Sequence, residues 1–155
     1  MKGKRAYIDT NIFVYVAVKH PDFFNKCNEV LKYLIKGEYE AYGSELILFE
    51  LFGALSRINA TAAYEATVYY LDLPIKLLNL GRSTLLIAKE IAKESEITYD
   101  AIHAAIMMEN RINVIITEDL KDWLEIKNVW NKVAKKLRLK DIGDLLVVSP
   151  TQGTL

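Results

Sequence analysis

The chain has 155 residues, 52% hydrophobic and 26% charged, which is enough for one folded domain (1–155) with an ordinary core and excludes a disordered chain. Its 20 basic and 20 acidic residues give a formal net charge of zero, so nucleic acid could be met only by a local basic surface. A single cysteine and two histidines exclude an internal disulfide, a cysteine-rich zinc site and a multi-histidine site; any metal would be held mostly by oxygen.

Residues 4–9 read as a short strand. The basic start from Met1 to Arg5 precedes an apolar stretch, but Asp9 and Asn11 interrupt it and no small-residue cleavage site follows, so no signal peptide is expected. Segments 11–19 and 22–36 read as helices broken at His20-Pro21, with Cys27 a small buried hydrophobe in the second. A strand near 39–43 precedes a helix from Glu45 to Arg57. The helix from Ala60 to Asp72 carries Tyr64, Tyr69 and Tyr70, which suit core packing or a dimer interface better than base stacking. Pro74 to Leu80 is a strand with proline at its start, where it is tolerated. Helix 83–94 follows Gly81, Thr98 opens helix 99–111, and Asn113 to Thr117 is the β-branched run of a buried strand. A charged helix over 120–139 and a last strand from Leu145 to Val148 complete the chain. No run reaches the roughly 18 apolar residues of a membrane helix, and a cytoplasmic location is expected. Strands alternating with helices predict an α/β fold whose parallel sheet is covered on both faces, with the site outside the carboxyl ends of the strands.

Most acids sit among lysines and polar residues, as solvated surface does; four do not. Asp9 lies between Ala6-Tyr7-Ile8 and Ile12-Phe13-Val14, Glu50 between Leu46-Ile47-Leu48-Phe49 and Leu51-Phe52, Asp100 between Ile97 and Ala101-Ile102, and Asp119 just after Val114-Ile115-Ile116. A carboxylate near a core costs several kcal/mol unless it is paired, neutralised or bound to a cation. Structural readings exist for each alone. Asp9, Asp100 and Asp119 could each cap a helix, with Thr98 competing for the cap beside Asp100, and Glu50 could pair with Arg57 two turns on. Together a shared cation is more economical, and all-oxygen ligation suits magnesium or manganese. Gly53 and Ala54, on the face of Glu50, would let a neighbouring element approach closely.

Four segments in order resemble the PIN-domain nucleases: Tyr7-Ile8-Asp9-Thr10-Asn11, the Glu45–Leu55 helix centred on Glu50-Leu51, Tyr99 to Ala105 with Asp100 and His103, and Ile115-Ile116-Thr117-Glu118-Asp119. The resemblance implies a three-layer α/β/α sandwich with a central parallel sheet of about five strands. It also implies Mg²⁺-dependent (or Mn²⁺-dependent) RNA cleavage, with Asp9, Glu50, Asp100 and Asp119 as catalytic and metal-binding residues. In size the chain is similar to the toxin half of a bacterial or archaeal toxin–antitoxin pair (VapC-like), which implies a small antitoxin partner and a homodimer. The long helix 120–139 departs from the shortest members.

On this reading Thr10, Asn11 and Thr117 orient the ligands or the attacking water, and His103, one turn beyond Asp100, supports the site. Arg57 is the expected RNA phosphate contact. Trp123, Ile126, Trp130, Val133 and Leu137 form an apolar stripe opposite Lys132, Lys135, Lys136 and Lys140, a face read as solvated rather than as a phosphate ridge. The rivals are a catalytically inactive PIN-fold RNA-binding or scaffold protein, and a doubly wound phosphatase using Asp9 as nucleophile. The second rival lacks the adjacent second acid that such chemistry wants.

Overall fold

A computed structural model describes residues 2–155. Its elements are β1 (Arg5–Ile8), α1 (Thr10–Ala17), α2 (Phe24–Ile35), β2 (Glu40–Ser44), α3 (Glu45–Ser56), α4 (Ala60–Asp72), β3 (Ile75–Leu78), α5 (Arg82–Ser95), α6 (Tyr99–Glu109), β4 (Val114–Ile116), α7 (Leu120–Lys136), β5 (Leu146–Ser149) and β6 (Gly153–Thr154). The sheet runs β3-β2-β1-β4-β5-β6, parallel throughout except for β6. The expected α/β fold with about five parallel strands is present, and a two-residue antiparallel strand extends it at one edge. That strand is too short to carry an alternation signal, because its pairing is made only by the return of the chain after Pro150.

The central strands explain their own sequences. In β1, Ala6, Tyr7 and Ile8 are fully buried, and β4 is Val-Ile-Ile buried throughout, because helices cover both faces. From β1 the chain winds outward through α1–α2 to β2 and through α3–α4 to β3. It then crosses back through α5–α6 to β4 and proceeds through α7 to β5. Right-handed crossovers in the two opposite directions place α1–α4 on one face and α5–α7 on the other, which matches the contacts within each group. The reversal of direction falls between β1 and β4, where a doubly wound sheet opens its crevice.

Helix α7 stops at Lys136, short of the expected 139. Arg138 takes a left-handed conformation (φ 56°), its N–H bonds Lys135 O and that of Leu139 bonds Ala134 O, a Schellman ending. Arginine stands where glycine usually signals such an end. In β2, Gly43 does need its missing side chain: a Cβ there would lie 2.1 Å from the hydroxyl of buried Tyr70. Gly43→Ala is therefore expected to cost about 1–3 kcal/mol by overpacking, and Gly43→Ala/Tyr70→Phe to recover part of it in denaturant melts. Equal losses for both variants would show that the clash is not with Tyr70.

Candidate metal centre

The crevice is built from the residues that leave β1 and β4. Tyr7 and Ile8 pair in register with Ile115 and Ile116, so Asp9 and Thr117 emerge side by side. Asp9 is 4% exposed and has four donors. One oxygen accepts the Thr10 N–H at 2.8 Å, capping α1. The other accepts the Thr117 hydroxyl at 2.8 Å, the Trp123 indole N–H at 2.9 Å and the Asn11 amide at 3.1 Å. Asn11 also receives the Glu118 N–H, and the Thr117 hydroxyl receives the Asp119 N–H, both at 3.0 Å, so the loops after β1 and β4 are tied together. Burial pushes the Asp9 carboxyl upward, opposed by the electrostatic influence of His103 and by the hydrogen bonds.

The capping and metal-ligand readings of Asp9 are thus compatible: the capping oxygen accepts a single N–H and keeps acceptor capacity for a cation. Asp119 occupies the cap position of α7, and Thr98 that of α6, without a side-chain capping bond. Asp100 lies in the first turn of α6. Burial first, then the charges of Asp9 and Asp119, push its carboxyl up to about 9, so Asp100 stands beside two like charges.

Glu50 pairs with His103 rather than with Arg57. One Glu50 oxygen accepts the Thr10 hydroxyl at 2.8 Å and meets His103 Nε2 at 2.5 Å. His103 Nδ1 lies 2.7 Å from the Tyr7 hydroxyl, which lies 2.8 Å from the Ser44 hydroxyl. Burial works against the Glu50 charge, but the His103 hydrogen bond and charge, with the Thr10 hydroxyl, hold its carboxyl below the ordinary range.

Ligand atoms of Asp9, Asp100 and His103 lie within 4.8 Å of one another, as do those of Asp100, Asp119 and Asp122. The two groups share Asp100, so the structure brings Asp9, Asp100 and Asp119 together. Glu50 belongs to neither group and is linked to the first through His103. Both His103 nitrogens are engaged by Glu50 and Tyr7. The carboxylates, with one carboxyl strongly raised, are a donor set that fits a hard divalent cation of the magnesium or manganese kind.

Several positions escape a reading by sequence. Asp122 joins the acidic group three residues after Asp119, a spacing that faces it back only once α7 is known to start at Leu120. Trp123, the first residue of the apolar stripe, is also a donor to Asp9, and Tyr7 and Ser44 continue the chain behind His103. Of the other stripe residues, Ile126, Trp130 and Val133 are buried, as expected, and Leu137, beyond the helix end, is half-buried. On the opposite face, Lys132 pairs with Glu94 at 2.7 Å and Lys136 with Glu90 at 2.6 Å, clasping α7 to α5; this favours the structural reading of that face. Tyr70 is buried while Tyr64 and Tyr69 are exposed, and Cys27 is buried, its thiol pushed up to about 12 by burial. Arg57 is exposed and lines the same cleft as Glu50 and His103.

A doubly wound parallel sheet with carboxylates gathered at its switch point defines the class. The PIN-domain family model matches residues 6–129, and the chain belongs to the PIN-domain family. No curated protein sequence matches the chain. Three solved structures share the fold. VapBC2 from Rickettsia felis, bound to a DNA fragment from its promoter, is 18% identical at a TM-score of 0.63 over 94% of this chain and 98% of that one. A toxin–antitoxin complex from Klebsiella pneumoniae is 18% identical at 0.60 over 76% and 89%. Mycobacterium tuberculosis VapC20, a sarcin–ricin loop cleaving toxin, is 16% identical at 0.64 over 77% and 93%. Among the described residues no helix is long and apolar enough to cross a membrane.

Proposed function

We propose that the chain is a metal-dependent endoribonuclease, with Asp9, Glu50, Asp100 and Asp119 as its catalytic and metal-binding carboxylates. The observation that carries this reading is Asp100, held between Asp9 and Asp119 at the switch point of a PIN-domain chain. Asp9, Asp100 and Asp119, with Asp122 beside them, would hold Mg²⁺ or Mn²⁺, and Glu50 would reach it directly or through water. When bound, the cation supplies Lewis-acid polarisation of the scissile phosphate and a more acidic water.

The residues of the chain do the positioning. Asp9 is fixed by four donors, so its carboxylate is held at one angle. Thr10 and His103 aim Glu50, while Asn11 and Thr117 hold the Asp119 loop. Uncompensated, the acids repel RNA, so phosphate attraction must come from elsewhere. We assign this role to Arg57, which lines the Glu50 cleft. Arg57→Ala is expected to weaken RNA binding and to reduce the slope of log affinity against log salt by about one. An unaltered slope in a salt titration would remove Arg57 from the contact.

The VapC-type neighbours support a toxin role with a small antitoxin as partner; to this reading we add a homodimer as the assembly and the cytoplasm as the location. A scaffold that had lost catalysis would have no need of four retained acids. The phosphatase reading is disfavoured because Asp9-Thr10-Asn11 lacks the second acid that such chemistry wants beside its nucleophile. Incubation of the protein with single-stranded RNA or a phosphomonoester, each with Mg²⁺ or EDTA, tests the proposal. RNA cleavage that EDTA abolishes supports it; phosphate release with RNA intact sinks it.

A further inference from the structure

Glycine and alanine at 53 and 54, on the face of Glu50, suggest close approach by a neighbouring element, but nothing lies within 4 Å of where a Gly53 side chain would begin. They instead line an open cleft of about 570 Å³ between α3 and α6, within the roughly 300–1,000 Å³ of small-molecule sites. Phe49 and Tyr99, one from each helix, line it too, and they are 80% and 79% exposed. Glu50 and His103 form its polar wall, and Arg57, with no ion pair among the described residues, supplies a cation. Two large aromatic rings left in water are costly for a soluble surface and call for an occupant.

We propose that this cleft seats one unpaired nucleobase of the RNA next to the scissile phosphodiester, stacked on Phe49 and Tyr99 with its phosphate toward Arg57. The inference rests on the nuclease reading and adds a base-binding subsite to it. The combination of apolar aromatic walls, a polar wall and a cation matches a planar, hydrogen-bonding ligand on an anionic tether. A second copy of the chain is the competing occupant. It fits less well, since a protein surface seated there would cover Glu50 and shut RNA out of the same wall.

The test is a set of short single-stranded RNAs, each with one abasic ribose at successive positions around the cleaved bond. They are given with Mg²⁺ to the unaltered protein, to Phe49→Ala/Tyr99→Ala and to the conservative Tyr99→Phe. For the unaltered protein and Tyr99→Phe, removing one particular base is expected to raise KM about tenfold to a hundredfold, with a smaller change in kcat. The double alanine variant is expected to show that higher KM on intact RNA and no further loss on the abasic one. Equal abasic penalties in the unaltered and double alanine proteins would overturn the subsite. So would a change of oligomeric state, by sedimentation, in the double alanine variant, which would assign the rings to a second copy. If the unaltered protein cleaves none of the RNAs, the nuclease reading itself fails, and the subsite falls with it.

Discussion

Asp9→Asn is expected to lower RNA cleavage by about 10³-fold or more, the scale seen when a group central to a catalytic constellation is lost. The reason is local. Asp9 is the carboxylate at the carboxyl end of β1 with one oxygen given to three donors, the Thr117 hydroxyl, the Trp123 indole and the Asn11 amide. An amide can match only one side of that arrangement. Either its NH₂ faces those three donors or it faces the Thr10 N–H, and a buried donor then loses its acceptor. Loss of cleavage should therefore come with about 1–3 kcal/mol of lost stability, so the fold is retained but weakened. Trp123→Phe separates the two effects, since it removes one donor to Asp9 and leaves the charge in place. It should share part of the stability loss and keep far more of the activity. Thermal melts beside single-turnover RNA cleavage check this; a fully active Asp9→Asn protein would exclude Asp9 from the chemistry.

How much of this was legible in the sequence follows from the range of the forces involved. The strands β1 and β4 were readable because burial on both faces makes them continuous apolar runs, and Asp9 and Asp119 stood out by interrupting or ending those runs. Helix periodicity gave the helices, and right-handed crossovers gave the crevice. What stayed hidden depends on partners distant in the chain. The pairing of Glu50 with His103 joins positions 53 residues apart and displaced the nearer Arg57. The bond from Trp123 to Asp9 spans 114 residues and lies within a stripe whose spacing reads only as core. The open space beside Gly53 is equally invisible, because a small residue marks close approach or an empty cleft with the same letter. The end of α7 was misplaced for a different reason: an arginine adopts the left-handed turn that glycine normally announces.

Asp100→Asn is expected to abolish cleavage and, in EDTA, to make the protein more stable than its parent. Asp100 is pushed up to about 9, by burial first and then by the charges of Asp9 and Asp119, so in the absence of a cation the acidic group keeps a proton that the unfolded chain would release. A folded state that binds more protons than the unfolded one loses stability as pH rises. The loss for Asp100 begins above the ordinary carboxylate range and is complete near pH 9. Asparagine carries no charge to be repelled, so the variant should gain about 1–3 kcal/mol at neutral pH and lose this part of the pH dependence. A divalent cation offsets the same repulsion by displacing the proton. Mg²⁺ or Mn²⁺ should therefore raise the parent's melting temperature more at pH 8 than at pH 6, and raise that of Asp100→Asn far less at either. Melts in EDTA and in Mg²⁺ at the two pH values read out both effects without any substrate. If the cation stabilised parent and variant equally, or if the variant gained nothing in EDTA, Asp100 would not be a carboxylate whose charge waits on a metal.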